Sequence, residues 1–493
     1  MNRSTQILLR LTETDVKMAR PSINLLSRDE IEEIHNASLE ILEDPGLEIL
    51  SEGALDIVKE AGGTVNYATK RATIPRNVVK EALGRAPKRL TFGARNAEHS
   101  FLLDRRETHF TTNGYAVFIR DHETGERRYS TQEDLARWAT LADYLDTIHV
   151  IWPSLNPTDV PEHMQRLSAV FTCLSNSEKH VEHFAESARE AQFEIEIAAA
   201  IAGSKEELKK KPIISAVQCP IAPLRFDQGL TDAVIEFAKA GIPVVSLSMP
   251  LTGLTGPVTL AGSLVVNNAE VLGNLVISEF AAQGAPLIYA GSPGSIDFKT
   301  GNYIEAPENI LLNAALTDLA RYYNLPCEIS GGSSSSKIPD GQAAYDGAIG
   351  LLTTILTRPD LLCGLGGIES ASIMSPEMLI IGNEIVHEAL RIAGGIQVSD
   401  STLAVDVIRK VGPGGTFLAE KHTLANLLKE HLVPEISNRE TYDTWKRNGS
   451  KSILDASREK TKEILEKHKP KPLEKDVQIK IEEIMKRGQT ELA

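Results

Sequence analysis

Cationic charge is what this chain is short of. Its 493 residues carry 52 Lys and Arg against 67 Asp and Glu, a formal net charge of -15 at pH 7. Nucleic acid and anionic membranes are held by basic faces that displace counterions, so this balance disfavours both and leaves a small molecule or a protein as partner. Cysteine is scarce as well. Cys173, Cys219, Cys327 and Cys363 stand apart, never as Cys-x-x-Cys, which excludes a disulfide framework and a paired-thiol redox motif and predicts a reducing compartment, the cytoplasm. Residues 1–10, MNRSTQILLR, hold no apolar stretch long enough for a secretory signal. No window approaches the roughly 18 uninterrupted apolar residues of a spanning helix, so a soluble protein is expected. No Gly-x-Gly-x-x-Gly follows a strand-like run to mark a dinucleotide site. The GPGG at 412–415 lacks the Lys-Ser/Thr of a phosphate loop, and no predicted strand leads into it.

What the chain does have is a beat. From His109 onward a short apolar run ends in small or polar residues and is followed by a helical pattern. Strands are predicted at 110–113, 150–155, 180–185, 213–219, 244–249, 287–292, 327–331 and 361–366, and helices at 227–240, 261–282, 307–323, 341–356 and 377–392. Eight such units with right-handed crossovers predict an α/β fold, a (β/α)8 TIM barrel over 108–440. Residues 1–107 are expected to form a helical/mixed N-terminal extension packed on the barrel, with helices at 29–42, 53–61 and 75–86. Residues 441–493, rich in Lys and Glu, are expected to form a solvated C-terminal helical extension.

Barrel chemistry sits where strands end, and the polar loop after 327–331, GGSSSSKIPD, is the most telling segment. Strand alternation sorts Cys327 and Ile329 to one face and Glu328, Ser330 and Gly332 to the other, and the polar row is expected to line the interior. A glycine there either leaves room or serves a turn with positive φ. Similar parity puts Ser246 and Ser248 inward, or bonded within the barrel wall. It also makes His180, Glu182 and Phe184 one inward row, with His183 facing the other way. Tyr115, Phe118, Trp152, Phe184, Tyr289 and Phe298 fall at or just after strand ends; in a chain with 5% aromatics, this is the set that would recognise a cation with no N–H to donate. Cys219, Cys327 and Cys363, near strand ends, leave open a zinc-dependent methyltransferase or decarboxylase-like barrel.

Three segments, LPCEISGGSSSSKIPDGQAAYD at 325–346, GPGGTFLAEKHTLAN at 412–426 and SMPLTGLTGPVTLAGSLVVNNAEVL at 248–272, resemble the trimethylamine methyltransferase family of corrinoid-dependent enzymes over roughly 25–439. Founding members carry pyrrolysine within the segment similar to ISGGSSSSKIPD, and the register places Gly332 there, beside Gly331. The resemblance therefore implies the branch without pyrrolysine, which demethylates quaternary amines. Glycine betaine is the favoured donor, with proline betaine, carnitine and gamma-butyrobetaine as alternatives. It further implies that the methyl group passes to the reduced cobalt of a corrinoid (cobalamin) supplied by a partner protein, no metal being bound by the chain itself. No Asp-x-His-x-x-Gly pattern supplies a cobalt ligand here. A betaine carboxylate needs donors, for which Arg225, His180 and His422 are candidates, His422 because it lies in the family segment. A homo-oligomer is expected. The non-enzymatic alternative, a betaine-binding protein, normally has an export signal and two lobes.

Overall fold

The computed structural model of the protein describes residues 18–493; the signal-free start read above lies outside them. Eight parallel strands close into a barrel: β1 (His109–Thr112), β2 (Ile148–Ile151), β3 (His180–His183), β4 (Ile214–Gln218), β5 (Val244–Ser248), β6 (Leu287–Gly291), β7 (Cys327–Ser330) and β8 (Leu361–Leu365). The ring closes through β8 onto β1. All eight predicted strands form within a few residues of their expected bounds. Each is buried on both faces, so each reads in sequence as a short apolar run.

A helix follows every strand: α1 (Gln132–Tyr144), α2 (Gln165–Asn176), α3 (Ala188–Ala202), α4 (Gln228–Ala240), α5 (Leu260–Ala281), α6 (Pro307–Tyr323), α7 (Gly341–Thr357) and α8 (Pro376–Ala393). Local chemistry fixes several ends. Asp340 caps α7 by accepting the Ala343 N–H at 3.1 Å, Pro307 opens α6 where an N–H has no intrahelical acceptor, and Gly241 closes α4 at φ 72°. α5 is long and apolar enough to cross a membrane by length and composition, but 78% of that window is buried inside the protein. It lies between β5 and a layer formed by the helices Arg28–Glu43, Glu52–Glu60 and Arg76–Arg85, which share one apolar cluster with it.

The two ends of the barrel differ. A hairpin of Leu90–Phe92 and Phe101–Leu103 closes the end where the strands begin: Phe92 stacks on His180 at 4.1 Å and Phe101 on His109 at 4.0 Å between ring centroids. At the other end the connecting loops build a small sheet of Leu251–Thr252, Gly294–Ile296 and Tyr303–Ile304. The mouth is therefore the end where strands finish, as in other barrels. Two C-terminal helices, Ile453–Lys467 and Lys475–Glu491, lie on the flank, and their Ile464, Ile481 and Ile484 join the core between strands and helices.

Candidate active site

Strand parity decides which side chains can meet inside the barrel. On β3, His180, Glu182 and Phe184 turn inward while Val181 and Ala185 join the outer core. On β7, Cys327 and Ile329 face the helices, and Glu328 meets Glu182. These rows agree with the sequence expectation. On β5 the inward reading of the serines fails and the alternative, bonding at the barrel wall, holds. Val245 and Leu247 line the interior, while Ser246 accepts from Asn274 Nδ2 of α5 at 3.0 Å and Ser248 donates to Glu270 of α5 at 2.6 Å. Tyr289 is corrected in the same way. It faces outward, its hydroxyl on Asn268 of α5 at 3.0 Å. The reason is that α5 brings its own buried Asn267, Asn268, Glu270 and Asn274 to the barrel wall, so polar residues on β5 and β6 are satisfied outside.

A polar chain runs through the interior. His180 Nδ1 lies 2.8 Å from the Gly93 carbonyl and its Nε2 lies 3.0 Å from Ser215 Oγ. Ser215 Oγ is 2.8 Å from Glu182 Oε2. Glu182 and Glu328 are each 0% exposed, and they hydrogen-bond to each other, with the Cys363 thiol against Glu328. Burial pushes the Glu182 carboxyl up to about 7, and burial with the neighbouring Glu182 charge pushes Glu328 well above the carboxylate range. Two carboxyls in contact without a cation cannot both ionise near neutrality. Desolvation holds His180 near 4, so its imidazole is neutral.

Above the pair, loops gather around the mouth. Tyr303 hydrogen-bonds Ser292 and Asn309 and stands by Cys363. Glu305, half-buried, takes hydrogen bonds from Asn309 and Ser333, and desolvation pushes it up to about 7. Ser333 also accepts from Asn113 Nδ2 at 3.4 Å. Trp152 ends the β2 row against Val150, Val217 and Leu247, roofed by Gly114. Phe184 meets Tyr115 edge-on at 5.4 Å, and Tyr115 donates to Asn156 at 2.6 Å. Burial raises the Cys219 thiol to about 12 and Cys363 well above its ordinary value, so neither is a thiolate at neutral pH. Among the described residues no three His, Cys, Asp or Glu side chains converge as a metal site requires.

Other candidates fall elsewhere. Phe118 lies in the strand Phe118–Arg120 of an outer sheet, tilted against Tyr129 and under Arg127. Phe298 is 72% exposed on the rim, over Gly253. Arg225 pairs with Glu48 at 3.3 Å in the N-terminal layer. His183 faces α3, its Nδ1 3.2 Å from Glu194. His422 sits on the helix Lys421–Glu430, whose last carbonyl is held by Arg391 near the end of α8 remote from the mouth; it is not brought to the mouth in this chain. Gly331 directs its missing side chain at Thr354 of α7, and Gly332 at the backbone of Gly364, neither into the mouth. Sequence reasoning missed Tyr303, Glu305, Asn309, Ser215 and Ser333. Ser333 lay within the segment singled out, and the other four carry no motif.

The outer network makes a stability prediction. Glu270 accepts from the Leu224 N–H at 2.7 Å and from Ser248, and burial raises it to about 7. A carboxyl raised in the folded state favours folding fully below its unfolded value near 4.5, and this contribution is lost as pH rises through about 7. Denaturant titrations are therefore expected to show Glu270→Gln gaining on the wild type by roughly 1–3 kcal/mol at pH 8 and by little at pH 4.5. Equal effects at both pH values would exclude the titration.

The model of the family described as trimethylamine methyltransferase (MTTB) matches residues 2–493. A trimethylamine methyltransferase MttB of Desulfitobacterium hafniense (strain DSM 10664 / DCB-2) is 34% identical over 466 residues, covering 94% of both chains. A glycine betaine methyltransferase of Desulfitobacterium hafniense (strain Y51) is 32% identical over 465 residues, 94% of this chain and 96% of that one. In fold, the crystal structure of the Methanosarcina barkeri monomethylamine methyltransferase aligns with a TM-score of 0.50 at 11% identity, over 94% of this chain and 93% of that one. Full-length matches of this kind leave one assignment: the chain belongs to the trimethylamine methyltransferase family, and its barrel is a methyltransferase barrel.

Proposed function

We propose that the protein takes a methyl group from a quaternary amine, glycine betaine first among candidates, and passes it to the reduced cobalt of a corrinoid carried by a partner protein, releasing the tertiary amine. The observation that carries this reading is the mouth itself. Glu305 stands beside Tyr303, and the buried Glu182–Glu328 pair shares the barrel interior with Trp152 and Phe184. That is a setting for a fixed positive charge lacking N–H groups. The segment where the family resemblance places pyrrolysine here has Gly331, Gly332 and serines, so a tertiary amine meets no electrophile. A quaternary nitrogen needs none, because it already carries the charge that makes a neutral amine a fair leaving group.

The reduced cobalt, as acceptor, supplies the nucleophile. This chain's residues hold the ammonium, aim one methyl group outward through the mouth and exclude water from it, which is catalysis by orientation and electrostatics. Asn113, which gives one amide N–H to Ser333 and keeps the other, stands as a neutral donor toward a betaine carboxylate. The mouth is rimmed by exposed Ile221, Met249, Leu254, Val258 and Phe298 on the loops after β4, β5 and β6, an apolar collar that fits a docking partner. The relative named for glycine betaine supports the donor class.

A panel of glycine betaine, proline betaine, carnitine, gamma-butyrobetaine and trimethylamine, assayed with cob(I)alamin for methylcobalamin, tests the reading. Glycine betaine or a close relative is expected to react, with dimethylglycine or its analogue as co-product, and trimethylamine to be inert. Turnover of trimethylamine without any quaternary amine would overturn it.

A further inference from the structure

The hydrogen-bond pattern at the base of the barrel dictates where protons sit. The Gly93 carbonyl can only accept, so His180 Nδ1, 2.8 Å away, carries the ring's proton. With the imidazole neutral, Nε2 is then an acceptor and must be met by the Ser215 hydroxyl at 3.0 Å. Ser215 has one proton. Its hydroxyl is set to donate to Glu182 Oε2 at 2.8 Å, and when the proton is spent on His180 instead, the same contact needs a proton on Glu182. Beyond it, Glu182 Oε1 and both oxygens of Glu328 are buried and receive no N–H or hydroxyl. Only each other's carboxyl and the Cys363 thiol answer them.

The surroundings supply no compensating charge. Facing the pair are His180 on β3, Ser215 on β4 and Cys363 on β8, with Tyr303 and Glu305 above at the mouth. Among the described residues, no Lys or Arg contributes to the charge state of either carboxyl. An acid pair built this way is neutral when the barrel is empty and lacks one thing, a cation.

We propose that Glu182 and Glu328 are a positioning pair that stores protons in the empty barrel and releases one to solvent when a quaternary ammonium seats above them. One carboxyl O–H bond breaks, its electron pair stays on oxygen, and the new carboxylate balances the bound cation. Loss of the methyl group leaves a neutral amine over an uncompensated carboxylate, which recovers its proton from solvent as product leaves. The cycle consumes no net proton. Binding is consequently pH-dependent: affinity falls as pH drops below the pair's range, approaching tenfold per unit for one linked proton. This rests on the reading of the mouth as a quaternary-ammonium site.

The test uses the full-length protein with glycine betaine and tetramethylammonium as probes. Calorimetric binding at pH 6 in two buffers of different ionisation enthalpy counts protons, and infrared spectra report protonated carboxyls directly through their C=O stretch. Expected from the pair is a release of about one proton per probe bound, counted in Glu305→Gln because Glu305, itself raised to about 7, adds a proton of its own in the wild type. A protonated-carboxyl band should be present in the empty protein, missing in part from Glu328→Gln and bleached by the probe. Glu305→Gln/Glu328→Gln should release under about a fifth as much, while Glu305→Gln alone should still release it. Binding without proton release, or release abolished by Glu305→Gln and kept in Glu328→Gln, overturns the coupling and leaves the functional reading intact. A folded protein that binds neither probe, its carboxyl band unmoved by both, overturns the functional reading and the coupling with it. If Glu328→Gln fails to fold, the band and proton count of Glu305→Gln decide alone.

Discussion

Glu305→Gln is expected to raise KM for the active quaternary amine by about a hundredfold at pH 8 while kcat rises about tenfold, so that kcat/KM falls only about tenfold, or roughly 1.4 kcal/mol. The asymmetry follows from the charge. A carboxylate beside an ammonium stabilises the bound substrate most, and the positive charge it answers fades as the methyl group departs. Ground-state binding loses the full interaction, and the transition state loses part of it. Removing the charged partner of a desolvated pair typically costs 2–5 kcal/mol, which makes about a hundredfold in KM a moderate expectation. Glutamine keeps the volume and can still bond Asn309 and Ser333, so the thermal midpoint should stay within a few degrees. The assay belongs at pH 8, where Glu305, raised to about 7, is ionised. A drop in kcat with KM unchanged would instead give Glu305 a role confined to the transition state, and no change would remove it from the site.

The contrast between Glu305 and Glu328 shows what the sequence makes legible. Glu328 was found by parity: on a strand buried on both faces, alternation fixes which side chains meet inside, and Cys327 and Ile329 declared the outer face. Glu182 followed from the same rule on β3. Glu305 obeys no period, because it lies in the loop before Pro307 and is held there by a distant segment, its N–H donating to Ser335 Oγ at 2.7 Å across 30 residues. Such loop residues are placed by the scaffold, and their neighbours are invisible until the barrel closes.

Parity also misled where a covering helix was polar. Reading Ser246 and Ser248 inward assumed that helices facing a barrel are apolar. α5 violates this with Asn274 and Glu270 buried at the wall, and those two residues pull the serines outward while Val245 and Leu247 fill the interior. Tyr289 follows the serines for the same reason. Apolar content alone could not signal it, since the inner row is itself aliphatic on β4 to β6. The barrel was legible because eight separate runs repeat one pattern; the chemistry was half legible because polar residues satisfy one another on either face of the wall.

Gly332→Leu is expected to cost more than about 3 kcal/mol and to lower the thermal midpoint clearly, beyond the usual range for overpacking because the obstruction is backbone. An added Cβ would lie 3.0 Å from the Gly364 carbonyl carbon, 3.1 Å from its oxygen and 3.2 Å from the Leu365 nitrogen. Gly364, at φ 115°, presents its own missing Cβ 2.8 Å from the Gly332 nitrogen, so the two strand ends approach at a distance that side chains forbid. Gly332 itself is not among the glycines with positive φ, which rules out a left-handed turn as its reason for being glycine. The expectation that a glycine here leaves room in the interior is therefore replaced: the residue closes the seam between β7 and β8. Gly332→Ala should show a smaller loss of the same sign, about 1–3 kcal/mol. The side chain in this segment that does reach the mouth is Ser333, through Asn113 and Glu305. Ser333→Ala should keep the fold and weaken substrate binding by removing a donor to Glu305. A stable, inactive Gly332→Leu protein beside a fully active Ser333→Ala would reverse that assignment and return the pocket wall to residue 332.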